Sequence, residues 1–202
     1  MRYPKNHKIE ARRRLLELGG RHAKKHGFAG SGMDALASAA GVTTGSLYKH
    51  FDGKQEYFAA VVEAELHRTA ERFRAIAPGD APAAAKAIAG YLSLQHVDAP
   101  EHGCALPSLT PEVARADESI RRAYETGVRE IHAVLAHLTG SRDAAWALTA
   151  QAVGAVMLAR AMRDEGTRRD LLAAARRQAQ ALLDAASDAK NERGHTRPEA
   201  AP

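Results

Sequence analysis

The sequence predicts an all-α fold of about nine helices, and three observations support this prediction. Hydrophobic residues make up 45% of the 202 residues, alanine is abundant among them, and runs of β-branched residues are scarce, a composition that favours helices over strands. Apolar side chains recur at spacings of three and four along most of the chain. Capping residues, glycines and prolines stand where these helical segments begin and end.

The first predicted helix runs from about Lys5 to His26 and ends at Gly27. Its Gly19-Gly20 pair weakens an isolated helix by about 1 kcal/mol per glycine, so we expect either a close contact with another helix or a local kink there. A short second helix follows Ser31, which we expect to cap its N-terminus.

The third helix and the turn before it form the most specific local pattern in the sequence. Gly41 ends the second helix because glycine readily adopts the left-handed conformation, and Thr43 is placed to cap a helix over Thr44–His50. Leu47 and Phe51 turn one side of that helix inward and leave its polar residues outside. Two short helices joined in this way are typical of a helix–turn–helix, whose polar face suits the DNA major groove and phosphates.

A long helix is predicted over about Lys54–Ala77, with Asp52 as its expected N-cap and Gln55 in the capping-box position. At 1.5 Å per residue it would span about 35 Å. Because it begins beside the helix–turn–helix and ends deep in the second half of the chain, we expect its direction to set the direction of the DNA-contacting helix.

In the middle of the chain, Asp80 is expected to cap a helix over residues 81–97. A loop separates it from a short helix over residues 108–116, with Pro111 in the first turn, where proline is tolerated. Asp117 is expected to cap the amphipathic helix that follows.

The last two predicted helices run over about 142–164, capped by Ser141, and 168–189, capped by Thr167. Apolar and small residues occupy more than one face of each, and small residues let helix backbones approach closely. We therefore expect a symmetric homodimer built on these helices as a four-helix bundle; the alternative is a monomer whose alanine-rich faces are solvated. Residues 190–202 are polar and aperiodic, and we expect a disordered tail.

Positive charge is concentrated at the N-terminal end. The formal net charge is +5, and residues 1–60 hold 11 Lys and Arg residues against 5 Asp and Glu residues. A basic segment that coincides with a helix–turn–helix is the electrostatic pattern of a polyanion-binding protein, whereas a basic run alone could be a solvated surface.

The sequence gives no indication of export or membrane insertion. We find no apolar run of the roughly 18–20 residues that a membrane span needs, and residues 1–20 are basic and interrupted by charges, unlike a signal peptide. A single cysteine, Cys104, excludes an intramolecular disulfide framework and fits a reducing compartment. We therefore expect a cytoplasmic protein with no membrane partner.

The segment Gly41–Phe51, together with Asp52-Gly-Lys54, resembles the recognition segment of TetR/AcrR-family transcriptional regulators. The resemblance extends upstream through Gly27-Phe28 and Ser31–Ala37 and downstream to about Val62. It therefore covers about the first third of the chain, and beyond this it consists only of length and helical pattern.

This resemblance implies an N-terminal helix–turn–helix DNA-binding domain over residues 1–53. It further implies a helical ligand-binding and dimerisation domain over residues 54–189, in which residues 54–77 form the connecting helix. Because the effector domains of this family diverge widely, the resemblance does not identify the ligand.

The resemblance also implies that the exposed face of the third helix contacts DNA. Nine residues are the candidate DNA contacts: Ser31, Thr43, Thr44, Gly45, Ser46, Tyr48, Lys49, His50 and Lys54. Residues 44–46 and Lys49 correspond to base readers. Tyr48 and His50 correspond to phosphate contacts, although Tyr48 could instead be a packing residue. Gly32 departs from the hydroxyl or apolar residue that is usual at its position.

The second half is expected to hold a cavity for an effector of apolar or aromatic chemistry. Eight residues could supply apolar walls with a few polar groups: Phe73, Tyr91, Gln95, His96, Cys104, Leu106, Tyr124 and Trp146. Each taken singly could also be plain core. Ligand binding would favour a dimer whose recognition helices no longer match the spacing of the DNA grooves.

Cys104 suggests a sharper alternative, because His96, Glu101 and His102 are near it in a loop that we expect to be flexible. A neighbouring imidazolium would favour the reactive thiolate and make the residue an electrophile or oxidant sensor. The other reading is inert packing, since the Gly-Cys pair resembles a common feature of effector domains in this family, including many without a redox role.

The ten histidines show no convincing metal-ligand spacing. His22 and His26 share a helix face but have no third ligand, and Lys24 and Lys25 beside them favour a phosphate-facing or solvated role. No Ser/His/Asp arrangement, glycine-rich phosphate loop or paired-carboxylate site stands out. We therefore expect no metal, no cofactor and no enzymatic activity.

Together these observations predict a ligand-responsive DNA-binding transcriptional regulator. We expect a repressor that binds a palindromic operator in double-stranded DNA as a dimer and is released by a small molecule. The alternatives are a transcriptional activator, a regulator that responds to a protein partner, an electrophile or redox sensor acting through Cys104, and a helical small-molecule-binding or detoxifying protein whose DNA binding is incidental.

Overall fold

The computed structural model describes the backbone of residues 5–195 and, within it, the side chains of residues 8–185. The described residues form ten α-helices and one 3₁₀ turn, with no strand among them. The helices are α1 (Lys5–His26), α2 (Met33–Ala39), α3 (Thr44–Tyr48), α4 (Lys54–Arg74), α5 (Ala81–Tyr91), α6 (Leu94–Asp98), α7 (Leu106–Val113), α8 (Glu118–Thr139), α9 (Arg142–Ala161) and α10 (Glu165–His195), and the 3₁₀ turn is Pro100–His102. The prediction of an all-α fold is confirmed, with one helix more than the nine expected.

The described part of the chain divides into two compact units. The first combines the chain up to Ala70 with Asp98–Glu130, and the second combines Glu71–Val97 with the chain from Ile131 onward. In the first unit the 3₁₀ turn and α7 pack against α1. The helix–turn–helix therefore shares its unit with a segment that is distant in sequence.

The core of the first unit is an aromatic cluster beneath the helix–turn–helix. The rings of Phe28 and Phe58 stack with centroids 4.2 Å apart, and those of Phe51 and Tyr57 are 4.6 Å apart. The hydroxyl of Tyr57, whose side chain is fully buried, donates to the carbonyl of Leu15 at 2.8 Å. These contacts bind α1, the end of the helix–turn–helix and α4 into one core.

The two glycines inside α1 mark a close approach of α4, which confirms one of the two expectations for this pair. A Cβ atom on Gly19 would lie 1.9 Å from Oη of Tyr57, and one on Gly20 would lie 2.1 Å from Oε1 of Glu65. Since real Cβ atoms do not approach heavy atoms so closely, only glycine lets the two helices pack at this distance. α1 continues through the pair without a break.

In the second unit, α10 packs against both α9 and α5. Leu148 and Val156 on α9 and Leu172 and Ala179 on α10 are buried. Arg176 donates from its guanidinium to the carbonyl of Leu92 at 3.2 Å. The C-terminal helices thus form a packed layer whose small residues permit close contact.

Several helix ends are capped as the sequence predicts. Thr43 accepts the N–H of Ser46 at 3.2 Å, Asp80 accepts that of Ala83 at 2.9 Å, and Ser141 accepts that of Ala144 at 3.3 Å. The glycines after α1, α2 and α8 have positive φ: Gly27 (81°), Gly41 (68°) and Gly140 (64°).

Three predicted caps are wrong. Ser31 does not cap α2: Gly32 is the N-cap, and the Ser31 hydroxyl donates back to the carbonyl of Gly27 at 2.9 Å. Before α4, the side chain that accepts the N–H of Asp52 is the carboxylate of Glu56 and not the amide of Gln55. Before α10, Asp164 accepts both the N–H and the hydroxyl of Thr167, so the helix begins earlier.

The helix predicted over residues 81–97 is instead divided into α5 and α6. Its backbone leaves the helical conformation at Leu92, with ψ of 50°. The hydroxyl of Ser93 donates to the carbonyl of Gly90 at 2.7 Å and accepts the N–H of His96 at 3.2 Å. A serine side chain can compete in this way for backbone hydrogen-bonding groups.

Other boundaries differ by a few residues. α3, α4 and α9 end at Tyr48, Arg74 and Ala161, each before its predicted end. α7 begins at Leu106 with Pro107 in its first turn, which places Pro111 inside the helix. α10 continues through residues 190–195, part of the predicted disordered tail, where Lys, Glu and Arg favour the helix; residues 196–202 lie outside the described part.

α9 bears on the expectation that the sequence contains no apolar segment long enough to span a membrane. By length and composition it is apolar enough to cross a membrane, with a mean hydropathy of 1.2 over its best window, 33% of which is buried. Its apolar residues, among them eight alanines, are interrupted by Gln151 and Arg160 and do not form one unbroken run. Helices at the core of non-membrane proteins meet the same criterion.

Candidate nucleic-acid interface

α2 and α3 form the predicted helix–turn–helix. The two helices are joined at Gly41, and the N–H of Val42 donates to the carbonyl of Ala37 at 3.0 Å. Leu36 and Leu47 are fully buried on the inner side of the pair. This packing fixes which side of α3 faces outward.

The outer side of α3 carries the candidate base-reading residues. Gly45, Tyr48 and Lys49 are exposed, and Thr44 and Ser46 are half-buried. Tyr48 exposes 51% of its surface, which favours a contact role over the packing alternative. A Cβ atom at Gly45 would have no neighbour within 4 Å, so the backbone of α3 is open to close approach at this position.

Thr44 makes a contact that the sequence did not predict. Its hydroxyl donates to Oδ1 of Asp34, in the first turn of α2, at 2.5 Å. The two residues are ten positions apart, and only the folded turn brings them together. An acidic side chain therefore stands beside the reading face.

Two predicted phosphate contacts already have protein partners. Lys54 donates from Nζ to the carbonyl of Ala29 at 2.7 Å, which leaves two of its three N–H donors for other acceptors. The hydroxyl of Ser31 lies 3.0 Å from Nε2 of His22. Both residues therefore brace the turn between α1 and α2, and their DNA contacts stay predictions.

His50 lies among cations contributed by two elements. Burial lowers the pKa of its imidazole, and the charges of Lys8, Arg12 and Lys49 lower it further. Its buried Nδ1 atom has no hydrogen-bond partner among the described residues. The sequence had assigned no individual role to Lys8 or Arg12.

Arg12 also supports the interface through packing. Its guanidinium lies over the ring of Phe51, 4.6 Å from the centroid, within the range of a cation–π interaction. The end of the helix–turn–helix thereby holds a basic residue of α1 in place. Positive charge beside α3 is thus positioned by the fold rather than carried only on flexible side chains.

Not every basic residue of the N-terminal segment is available to DNA. Lys24 is buried: its Nζ pairs with Oε2 of Glu65 at 2.8 Å, and each side chain is only 2% exposed. The same Nζ donates to the carbonyl of Gly103 at 2.8 Å. Burial lowers the pKa of Lys24, an effect that Glu65 opposes.

The segment of the 3₁₀ turn and α7 is attached to the helix–turn–helix at two further points. Lys25 pairs with Glu101 at 3.2 Å. Glu112 accepts the backbone N–H groups of Phe28 and Ala29, which lie between α1 and α2. No local spacing in the sequence signals these pairs, because their partners lie more than 70 positions apart.

Three of the eight predicted ligand-lining residues lie in the first unit. Cys104 and Leu106 are buried, and the hydroxyls of Tyr124 and Thr110 share a hydrogen bond of 2.6 Å. Cys104 lies in the short non-helical segment between the 3₁₀ turn and α7 and is only 3% exposed. The expected loop is therefore shorter than predicted, and its flexibility stays a prediction.

The other five predicted ligand-lining residues lie in the second unit. The rings of Tyr91 and His96 meet edge to face at 4.5 Å, and Trp146 stacks on His132 at 4.1 Å. Phe73 is half-buried, and Gln95 is exposed. Their role in ligand binding stays a prediction.

A groove of about 400 Å³ in the second unit involves residues that the sequence did not single out. It is lined by Leu94, Arg169, Asp170, Leu172, Ala173 and Arg176. Three apolar side chains form part of the wall, and the charged ones come from α10. The groove does not include any of the eight predicted ligand-lining residues.

Comparison with known proteins identifies the N-terminal segment. Residues 15–61 match the model of the tetR family of bacterial regulatory proteins. This range contains α2, α3 and the nine candidate DNA contacts. No curated protein sequence matches the chain.

Solved structures show the same fold over most of the chain. The reduced form of NemR from E. coli has a TM-score of 0.66 at 23% identity, covering 82% of this chain and 95% of its own. A tetR-family transcriptional regulator from Streptomyces coelicolor has a TM-score of 0.65 at 19% identity, with coverages of 93% and 86%. A TetR transcriptional regulator from Legionella pneumophila has a TM-score of 0.66 at 18% identity, with coverages of 82% and 95%.

Proposed function

We propose that this protein is a transcriptional repressor of the TetR family, which its matching segment and its fold support. It binds an inverted-repeat operator as a homodimer through its helix–turn–helix and leaves the operator when a small molecule binds. The observation that carries the proposal is the outward face of α3, where Gly45, Tyr48 and Lys49 are exposed opposite the buried Leu47. We place this activity in the cytoplasm and assign the chain no enzymatic role.

In this proposal the exposed face of α3 enters the major groove. Thr44, Gly45, Ser46 and Lys49 contact base edges, because these are the residues at the outer side of the helix. Phosphate contacts from Tyr48 and His50, with Ser31, Thr43 and Lys54 nearby, position the helix without reading sequence. The cations around His50 add sequence-independent affinity.

The dimer is supported by the surfaces of α9 and α10. Trp146 and Leu158 on α9 expose 44% and 55% of their surfaces. Small residues recur at spacings of three, four and seven on the outer faces: Ala147, Ala150, Gly154 and Ala161 on α9, and Ala174, Ala181 and Ala185 on α10. A second copy would cover these faces as a four-helix bundle, and two-fold symmetry requires an inverted-repeat operator.

The effector response is supported by the attachment of residues 101–112 to the helix–turn–helix. Cys104 and Leu106, both candidate ligand-lining residues, lie between Glu101 and Glu112, which hold α1 and the turn after it. A ligand that displaces this segment would also displace the helix–turn–helix. It would act by favouring one of two states for which it has different affinities.

A response to electrophiles or oxidants through Cys104 is the second candidate. The specific observation is that Cys104 follows Gly103, whose carbonyl accepts a hydrogen bond from the buried Lys24 of α1. Modification of a thiol that is 3% exposed would require the segment to open, and opening would break this bond. Operator release by an alkylating agent from the wild type but not from Cys104→Ser would support this candidate, and equal release from both would remove it.

The test of the main proposal is selection of duplexes by the full-length protein from a random double-stranded library. The proposal expects one inverted repeat, at least about a thousandfold preference over random competitor, and affinity that falls steeply with salt. A reporter gene under that repeat should be silenced by the protein. Retention of every duplex with equal affinity would contradict the proposal, and activation of the reporter would contradict the repressor assignment.

A further inference from the structure

We propose that Asp34 sets the base preference of the recognition helix by fixing the hydroxyl of Thr44 as a hydrogen-bond acceptor. The inference rests on the proposed function, because it assigns Thr44 to a base edge in the major groove. It adds a positioning residue, Asp34, that lies on α2 rather than on the helix that reads the DNA.

The geometry of the pair leaves one orientation for the hydroxyl hydrogen. Oγ1 of Thr44 donates to Oδ1 of Asp34 at 2.5 Å. A carboxylate has acceptors only, whereas a threonine hydroxyl has one hydrogen and two lone pairs. With its single hydrogen directed at Asp34, Thr44 can present only lone pairs and its methyl group to a ligand outside the protein.

An acceptor and a donor select different bases in the major groove. Adenine and cytosine present amino groups there, whereas guanine and thymine present carbonyl oxygens at the corresponding positions. A hydroxyl that rotates freely can pair with either kind of base. A hydroxyl held as an acceptor pairs with the amino group of adenine or cytosine and meets an unfavourable lone-pair contact at guanine or thymine.

The charge of Asp34 has the opposite effect on overall affinity. Asp34 is exposed in an N-terminal segment in which Lys and Arg outnumber Asp and Glu, and a carboxylate facing DNA repels every phosphate backbone irrespective of sequence. Removing it should therefore strengthen binding to all duplexes while weakening discrimination at one position. A purely structural role in the first turn of α2 would alter stability but not base preference.

Four variants of the full-length chain separate these roles. Asp34→Ala removes the carboxylate, Thr44→Val removes the hydroxyl while keeping the shape, and the double variant combines them. Thr44→Ser keeps the hydroxyl. Asp52→Ala is the matched control, because Asp52 is another exposed acid of the helix–turn–helix segment, and its removal changes the net charge equally.

Affinity is measured at fixed salt for the selected operator and for each symmetric single-base substitution of it. We expect the wild type and Thr44→Ser to prefer an amino-bearing base at one symmetric position by about tenfold. Asp34→Ala and Thr44→Val should reduce this preference to about twofold or less, and the double variant should lose no more than Thr44→Val alone. Asp52→Ala should bind all duplexes more tightly with an unchanged preference.

Two results would overturn the inference. One is an unchanged base profile in Asp34→Ala, and the other is a double variant in which the two losses add, since residues acting through one hydroxyl cannot contribute independently. If Asp34→Ala does not fold, as judged by circular dichroism, equal preferences in Thr44→Val and Thr44→Ser would overturn it. A wild type that selects no duplex would instead overturn the proposed function.

Discussion

The carboxylate of Glu112 accepts the backbone N–H of Phe28 through both of its oxygens, each 3.0 Å from the nitrogen. The same carboxylate accepts the N–H of Ala29 at 2.6 Å. These donors belong to the turn after α1, where Gly27 has a positive φ and no side chain. α7 therefore satisfies the N–H groups that the turn between the first two helices leaves without helical partners.

Replacing Glu112 by alanine should destabilise the first unit. Loss of the carboxylate leaves two backbone donors without their partner, which costs about 1–3 kcal/mol when the groups are not fully hydrated. The free energy of unfolding, measured by urea titration, should fall by that amount. Glu125→Ala breaks only the exposed pair with Arg129 and should change it by less than about 0.5 kcal/mol. Equal effects of the two substitutions would show that the Glu112 contact is not structural.

Replacing Gly19 by alanine should destabilise the protein although alanine is the better helix former. The new Cβ atom would lie 1.9 Å from Oη of Tyr57, and the resulting overpacking costs about 1–3 kcal/mol. Gly90, near the end of α5, has no atom within 4 Å of an added Cβ, so Gly90→Ala should raise the unfolding free energy by about 0.5–1 kcal/mol. Thermal melting compares the two variants, and a higher melting temperature for Gly19→Ala would show that α1 and α4 do not approach so closely.

The stability of the protein should depend on Tyr57 at high pH. Burial raises the pKa of Tyr57 to about 12, whereas the unfolded side chain titrates near 10. The contribution of Tyr57 is therefore complete below about pH 10 and is lost as the pH rises toward 12, by at most about 1.4 kcal/mol per pH unit.

Tyr57→Phe isolates this effect because all other titrating groups are shared with the wild type. The variant loses the hydrogen bond to Leu15 and should be less stable at pH 8 by about 1 kcal/mol. The difference in unfolding free energy between the two proteins should then fall between pH 10 and 12 and change sign, because the loss over two pH units exceeds about 1 kcal/mol. A difference that stays constant over this interval would contradict the assignment of the alkaline dependence to Tyr57.

Replacing Leu158 by glutamate should abolish dimerisation. Leu158 is 55% exposed on α9, and a charge buried without a partner in the proposed four-helix interface is strongly unfavourable. Sedimentation velocity should show a dimer for the wild type and for Lys86→Glu, whose lysine is exposed on α5, and a monomer for Leu158→Glu. A wild type that sediments as a monomer would remove the proposed dimer.

The fold and the recognition segment could be predicted because their signals are local. The cap at Thr43, the glycine at position 41 and the buried spacing of Leu47 and Phe51 act within one or two helical turns. The residue types within that short range determine where helices begin, end and turn, so a sequence alone indicates them.

The contacts that complete the site could not be predicted in this way. Glu112 meets Phe28, and Lys24 meets Gly103, only because the 3₁₀ turn and α7 pack on α1. Asp34 was missed for a similar reason, since its partner Thr44 lies across the turn. The helix predicted over residues 81–97 is divided because the Ser93 hydroxyl forms hydrogen bonds with the backbone of Gly90 and His96. The spacing of apolar residues does not indicate whether a serine hydroxyl bonds to the backbone or to solvent.

The central claim is that the outward face of α3 docks onto duplex DNA, and operator affinity of single-site variants tests it most directly. At fixed salt, Lys49→Ala and Tyr48→Ala should each weaken binding of the selected operator by about 1–3 kcal/mol without loss of helicity. Lys86→Ala, which removes one exposed positive charge from α5, should leave the affinity within about twofold. Unchanged affinity in both α3 variants would contradict the account.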